Sequence, residues 1–141
     1  MEAKLSSNHV GILTRFHQSI VGGDIPTAME LVHPECVLNE ADGLPYGGDY
    51  IGGEGFLQLA TVFTKDFDVT VHSWQAHDAG ELVVAQMSVT LQSKETGRTL
   101  DTSVVELYRF TDEQISGIDV FYKDTKAVVD LVPGAAGLVG A

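Results

Sequence analysis

The sequence predicts an α+β fold, with a curved antiparallel sheet covered on one face by three N-terminal helices that enclose a pocket. Two observations carry this. Up to Thr64 apolar residues recur at helical spacing, as in Ile12, Leu13, Phe16, Ile20 and Val21. From Asp66 onward the rhythm changes to four long runs rich in β-branched and aromatic residues, separated by turn residues. No repeat, low-complexity block or linker interrupts residues 1–141. They read as one domain, with a core over about 10–124 and an apolar C-terminal tail over 125–141.

Taken in order, Ser6, Ser7 and Asn8 offer N-caps for the first helix. Gly22-Gly23 ends it, glycine being favoured just beyond a helix C-terminus. Asp24 can cap a short second helix with Pro26 in its first turn. Ala28, Met29, Leu31 and Val32 give that helix its buried side, and His33-Pro34 stops it. A strand over 37–41 leads into a loop with five glycines between Gly43 and Gly53. A third helix follows from about Glu54 to Thr64, with Phe56, Leu57, Leu59, Ala60 and Phe63 facing inward. The strands then read Phe67 to His77, Leu82 to Gln92, Thr99 to Phe110 and Ile115 to Lys123. The tail VVDLVPGAAGLVGA is either a loose end or a strip packed over the sheet or a neighbouring subunit.

Composition narrows the function classes. Hydrophobic residues make up 44% and charged residues 20%, which fits a folded chain with a sizeable core. A net charge of −12 argues against nucleic-acid backbones and anionic membranes, both of which require basic patches. Cys36 is the only cysteine, so no intrachain disulfide forms and a reducing compartment is expected. The start, MEAKLSSNHV, lacks the apolar stretch of a secretory signal, and no run reaches the roughly 20 apolar residues needed to span a bilayer. A cytoplasmic location is expected.

The informative stretch is VLNEADGLPYGGDYIGGEGF, residues 37–56. It opens as a strand carrying an acid, Glu40, beside apolar residues, and breaks into a glycine loop able to fold tightly over something. Tyr46 and Tyr50 suit the rim of a pocket, offering an aromatic face with a polar tip. A second acid, Glu106, lies in an otherwise apolar strand and shares a face with Thr102, Val104, Tyr108 and Phe110. A carboxyl beside two aromatics resists ionising and stays available as an acid or hydrogen-bond donor. The plainer readings are a solvated Glu106 paired with Arg109 or Lys123, and a Glu40 that is ordinary strand-end charge.

The order of elements, with GGDIPTAMELVHPECVLNE at 22–40, YIGGEGF at 50–56 and VVELYRFTDEQISGIDVFYKD at 104–124, resembles the cone-shaped nuclear transport factor 2 (NTF2-like) superfamily. Within it the chain is most similar to the SnoaL-like polyketide cyclases and the ketosteroid isomerases. The resemblance covers about Val10 to Asp124 and implies the fold more firmly than any one reaction. Registered on Gly23-Asp24, it places the isomerases' catalytic base on Glu40. Registered on LYRF at 107–110, it places their hydrogen-bond-donating acid on Glu106. Their catalytic tyrosine falls on Phe16, which has no hydroxyl, so authentic steroid isomerase chemistry is disfavoured. The Arg-x-Asp pair of the fold's epoxide hydrolases reads Val104-Val105-Glu106 here, which disfavours epoxide hydrolysis.

Other residues point elsewhere less strongly. His72 and His77 are five apart, so on a regular strand they face opposite ways and cannot share a metal. His17 borders the apolar stripe of the first helix, and Trp74 either walls a cavity or fills the core. The glycine loop lacks the Lys-Ser/Thr of a phosphate-binding loop and the Rossmann spacing, and no nucleophile elbow occurs. No metal or cofactor is expected. The sequence therefore points to an isomerase- or cyclase-type enzyme acting on a small hydrophobic carbonyl or polyketide-like compound. Glu40 and Glu106 are its candidate catalytic residues, and Phe16, Tyr46, Tyr50, Phe56, Trp74, Tyr108 and Tyr122 are candidates for binding substrate. The alternative is a binding or dimerisation module, and separation of the two glutamates onto different faces would favour it. A homodimer is expected, because Ala85, Met87, Val89 and Leu91 alternate with Gln86, Ser88 and Thr90. If the polar row lines the cavity, as the isomerase register implies, a second sheet must cover the apolar row; with reversed parity the apolar row faces the helices.

Overall fold

The computed structural model describes residues 2–132, with side chains from Asn8 onward. Ten elements follow in order: α1 (Glu2–Val21), α2 (Ile25–Glu30), β1 (Val32–Glu40), β2 (Gly48–Ile51), α3 (Gly52–Asp66), β3 (Phe67–Ala79), β4 (Leu82–Ser93), β5 (Thr99–Thr111), β6 (Gln114–Tyr122) and α4 (Thr125–Asp130). The six strands form one curved, unclosed sheet in the order β2-β1-β6-β5-β4-β3. Strands β3 to β6 are the antiparallel meander that the sequence predicts. The sheet is not wholly antiparallel, because β1 runs parallel to β6. No helix among the described residues is long and apolar enough to cross a membrane.

Helix α1 starts at Glu2, so Ser6, Ser7 and Asn8, expected as its caps, fall inside it, whereas α2 is capped as expected. Ile12, Leu13 and Phe16 bury the inner face of α1, while Val21, on the last turn, is 73% exposed rather than packed. The Asp24 side chain accepts from the Thr27 amide and caps α2, with Pro26 in its first turn. This helix ends at Glu30, earlier than the sequence suggested, and Leu31 and Val32 bury their side chains at the helix–strand junction. Strand β1 therefore starts at Val32, ahead of Pro34. Pro34 is tolerated there because the β1–β6 register slips between Val32↔Ile115 and Val37↔Gly117, so no ladder hydrogen bond is asked of it.

The glycine stretch is a packed hairpin rather than a free loop. Gly48–Ile51 pairs with Val37–Glu40, and the Leu44 amide bonds the Ala41 carbonyl across the connection. Leu44 and Tyr46 are buried, the latter 2% exposed. Its ring stands edge-on to Phe63 at 5.3 Å and to Phe67 at 6.1 Å, pairs worth about 1 kcal/mol each beyond their buried area. Gly52, at φ +66°, then turns β2 directly into α3, its α-carbon hydrogen facing the Pro34 carbonyl.

The start of the predicted tail is ordered. Asp124 caps α4 through the Ala127 amide at 3.0 Å, and Val128, Leu131 and Val132 are buried. The remainder, 133–141, lies outside the described residues.

One face of the sheet packs against α1 and α3, and the parity of β4 decides what that face contains. Ala85, Val89 and Leu91 are buried on it, whereas Gln86, Ser88 and Thr90 point to the outer face. The reading that left the apolar row uncovered is thereby corrected. The hydrophobic side chains of β4 are consumed by the core and by the cavity beneath the helices.

Candidate functional site

Three adjacent strands build the floor of that cavity. Glu106 on β5 pairs with Val120 on β6, and the parallel register Asn39↔Asp119 brings Glu40 on β1 to the other side of Val120. Neighbouring strands lie about 4.8 Å apart, so two carboxyl side chains flank one valine in a single row. Strand alternation turns all three inward, with Leu38, Ile118 and Tyr108 forming the row below. Tyr122, two residues beyond Val120, faces the same way and pairs with Val104.

The cavity above this floor measures about 390 Å³. Glu40 and Glu106 both line it, and among the described residues Tyr122 is the other polar side chain on its floor. Phe56, Leu59 and Phe63 of α3 supply the wall, and Met87, Val89 and Leu91 of β4 the opposite side. At the mouth stand Leu57 at 39% exposure, Val69 at 47% and Val71 at 45%, an apolar collar open to solvent. Among the described residues no lysine or arginine lines the cavity.

Such surroundings act strongly on the acids. Glu40 is 5% exposed, and its Oε1 is buried without a hydrogen-bond partner among the described residues. Burial, and then the charge of Glu106, push its carboxyl up to about 8. Glu106 is also raised by burial, although the Tyr108 hydroxyl, donating to Oε1 at 2.8 Å, works against the rise. That bond leaves the other Glu106 oxygen to carry a proton toward the cavity. Arg109 does not pair with Glu106; it pairs with Asp119 at 2.7 Å on the outer face.

The remaining candidates divide between lining and support. Phe56 and Tyr122 line the cavity directly. Phe16 stands behind Phe56, edge-on at 5.3 Å. The Tyr46 hydroxyl donates to that of Tyr122 at 2.8 Å, and the Tyr50 hydroxyl donates to the Tyr46 carbonyl at 2.9 Å. Tyr108 lies below the floor and holds Glu106. Trp74 lies outside the cavity lining and stacks on His17 at 4.2 Å; burial lowers the proton affinity of this histidine. Burial likewise raises the Cys36 thiol to about 11, so it packs as a small apolar side chain.

Sequence reasoning missed the collar, since Val69 and Val71 read as ordinary strand residues. It also placed the two strand histidines wrongly. A bulge between Val71 and Ser73 shifts parity, so His72 and His77 bond Thr90 and Gln86 on one face of β4. Among the described residues no group of three or more His, Cys, Asp or Glu is arranged to hold a metal ion.

Comparison with known proteins fits this geometry. The sequence profile of the SnoaL-like domain matches residues 13–118, a span that contains both glutamates. The chain belongs to the SnoaL-like family. Solved structures similar to this SnoaL-like chain include an NTF2-like protein from Burkholderia xenovorans LB400, with 17% identity, 89% of this chain and 95% of that one covered, and a TM-score of 0.81. TerC, co-crystallised with polyporic acid, is 15% identical over 89% and 98% of the two chains, with a TM-score of 0.77. A candidate polyketide cyclase from Xanthomonas campestris pv. campestris is 15% identical over 89% and 97%, with a TM-score of 0.72. At such identities the likeness establishes the fold and no more. Among curated proteins, none matches this SnoaL-like chain at a significant level.

Proposed function

We propose that this SnoaL-like chain is a cofactor-independent enzyme of the isomerase or cyclase type, acting on a small hydrophobic carbonyl or polyketide-like compound. The observation that supports the reading is the convergence of two proton-holding carboxyls on one apolar cavity, one of them with an unpartnered oxygen. Substrate enters past the collar and loses its water. Ionised Glu40 takes a proton from the carbon next to the carbonyl, and the electron pair moves onto the carbonyl oxygen as an enolate. The two acids share one proton between them, and in the reactive form it sits on Glu106, which donates a hydrogen bond to that oxygen, where charge develops. Glu40, now protonated, returns the proton to the far carbon of a conjugated dienolate for isomerisation; for cyclisation the enolate carbon closes on a second carbonyl, whose oxygen takes the Glu40 proton. With Glu40 raised to about 8 the reactive form is a minority at pH 7, yet in it Glu40 is a far stronger base than a free glutamate. That some fold relatives are candidate polyketide cyclases, and that TerC was crystallised with polyporic acid, agrees with an apolar oxygenated substrate.

The competing reading, a binding module without chemistry, is favoured by glutamates on separate faces, and here they share one. The test needs no native substrate. An aryl methyl ketone held with the protein in deuterated buffer should gain α-deuterium faster than in buffer alone, as followed by proton NMR. Tight binding without any acceleration would return the chain to the binding-module reading.

A further inference from the structure

We infer that the Tyr122 hydroxyl is a second hydrogen-bond donor to the substrate oxygen, held in place by Tyr46 behind it. The inference rests on the proposed use of Glu40 and Glu106, and it begins from proton counting. A buried hydroxyl needs an acceptor for its one proton. Tyr46 is 2% exposed, and among the described residues the only acceptor for its proton is the Tyr122 oxygen, at 2.8 Å. Tyr46 therefore donates and Tyr122 accepts. The Tyr122 proton is left over, and no other described residue accepts it. Tyr122 lines the cavity, so that proton is available to a ligand.

Register supplies the position. Tyr122 pairs with Val104 one pleat beyond the Glu106↔Val120 pair, so it stands diagonally across from both Glu106 and Glu40, with Val120 between the three. Diagonal neighbours on one sheet face lie about 7–8 Å apart at Cα, close enough for two side chains to reach one oxygen. Among the described residues α1 lines the cavity with Ile20 and no hydroxyl, and Phe16 packs behind Phe56. Burial and the neighbouring acids keep the Tyr122 hydroxyl protonated across the working pH range, which suits a donor and not a base. Tyr46 acts through Tyr122 and is a positioning residue. It is anchored by its edge-on contacts to Phe63 and Phe67 and by Tyr50 on its carbonyl.

The test uses 2-acetylnaphthalene, a neutral aryl ketone, bound to the full chain, with its carbonyl stretch read by difference infrared spectroscopy. In the wild type the stretch should lie below its position in hexane. Tyr122→Phe should move it upward and weaken binding about fivefold, the worth of one neutral hydrogen bond. Tyr46→Phe keeps the Tyr122 hydroxyl but removes its support, and should move the stretch part of the way. A Tyr122→Phe protein that binds the ketone with unchanged stretch and affinity overturns the inference. So does a wild-type protein in which the stretch stays at its hexane position, or one that does not bind the ketone. A stretch that responds to Tyr122→Phe while no α-deuterium exchange occurs leaves the donor in place and removes the enzymatic reading instead.

Discussion

Ionising a carboxyl group in an apolar cavity forfeits the hydration that stabilises the charge in water, and among the described residues the Glu40 Oε1 has no hydrogen-bond donor to replace it. Its raised proton affinity couples folding to pH. Below its ordinary value near 4.5 the group is protonated in both folded and unfolded chains, and it costs nothing. As pH rises from there toward about 8, the unfolded chain ionises while the folded chain holds its proton, so stability falls, and the loss is complete above about 8. At about 1.4 kcal/mol per pH unit the effect amounts to a few kcal/mol. Glu40→Gln cannot ionise, so between pH 5 and 9 its thermal midpoint should fall less than that of the wild type; parallel profiles would contradict the burial argument. The same substitution should lower ketone exchange by roughly 10²-fold while leaving ketone affinity nearly unchanged. Full exchange activity would demote Glu40 to a structural acid. At this scale the sequence was informative where chemistry is written into residue type. Two acids in apolar strands are visible by alternation, whereas the Tyr46–Tyr122 bond joins residues far apart in the chain and has no local signature.

At the scale of elements, the glycine stretch is a paired and packed hairpin. Glycines at this density would suit a mobile lid, in which replacing Gly47 and Gly48 would damage turnover more than stability. In the folded chain a Cβ on Gly47 would strike the Ala41 carbonyl oxygen and come within 2.9 Å of the Asp42 Cα, and Gly48 sits at φ +119°. Neither obstacle is a flexible side chain that can move aside. Gly47→Ala should therefore destabilise the hairpin by about 1–3 kcal/mol, read as a fall in the denaturant midpoint. An unchanged midpoint with slowed ketone exchange would restore the lid. The meander was legible because period-two alternation over long runs is a strong signal, and the structure extends each of its first three strands by only one or two residues. The start of β1 was not legible, because Pro34 ordinarily ends a strand and only the register slip beside β6 excuses it. The bulge at His72 left no mark in the sequence, and with it the face of that histidine was lost.

For the whole molecule, the choice that sequence alone left open was which face of the sheet meets the helices. Both rows of β4 are regular, and only the packing of α1 and α3 against Ala85, Val89 and Leu91 decides between them. A homodimer consequently cannot rest on that row. What the outer face offers is Val37 at 39%, Ile51 at 53% and Phe121 at 54% exposure, beside polar strand residues. A dimer through this mixed face is the expected assembly, and light scattering at micromolar protein should return twice the chain mass; a monomer would remove it. The cavity needs no second copy for its floor, since β1, β5 and β6 of one chain supply Glu40, Glu106 and Tyr122. The central claim is that Glu40 and Glu106 share that floor and feel each other there. It is tested most directly by titrating the Glu40 carboxyl carbon by NMR in the wild type and in Glu106→Gln. The wild-type group should titrate at about 8, and in the variant its midpoint should fall while staying above 4.5, because burial outweighs the neighbouring charge. A Glu40 that titrates near 4.5 in the wild type, or one that is indifferent to Glu106, would contradict the shared site.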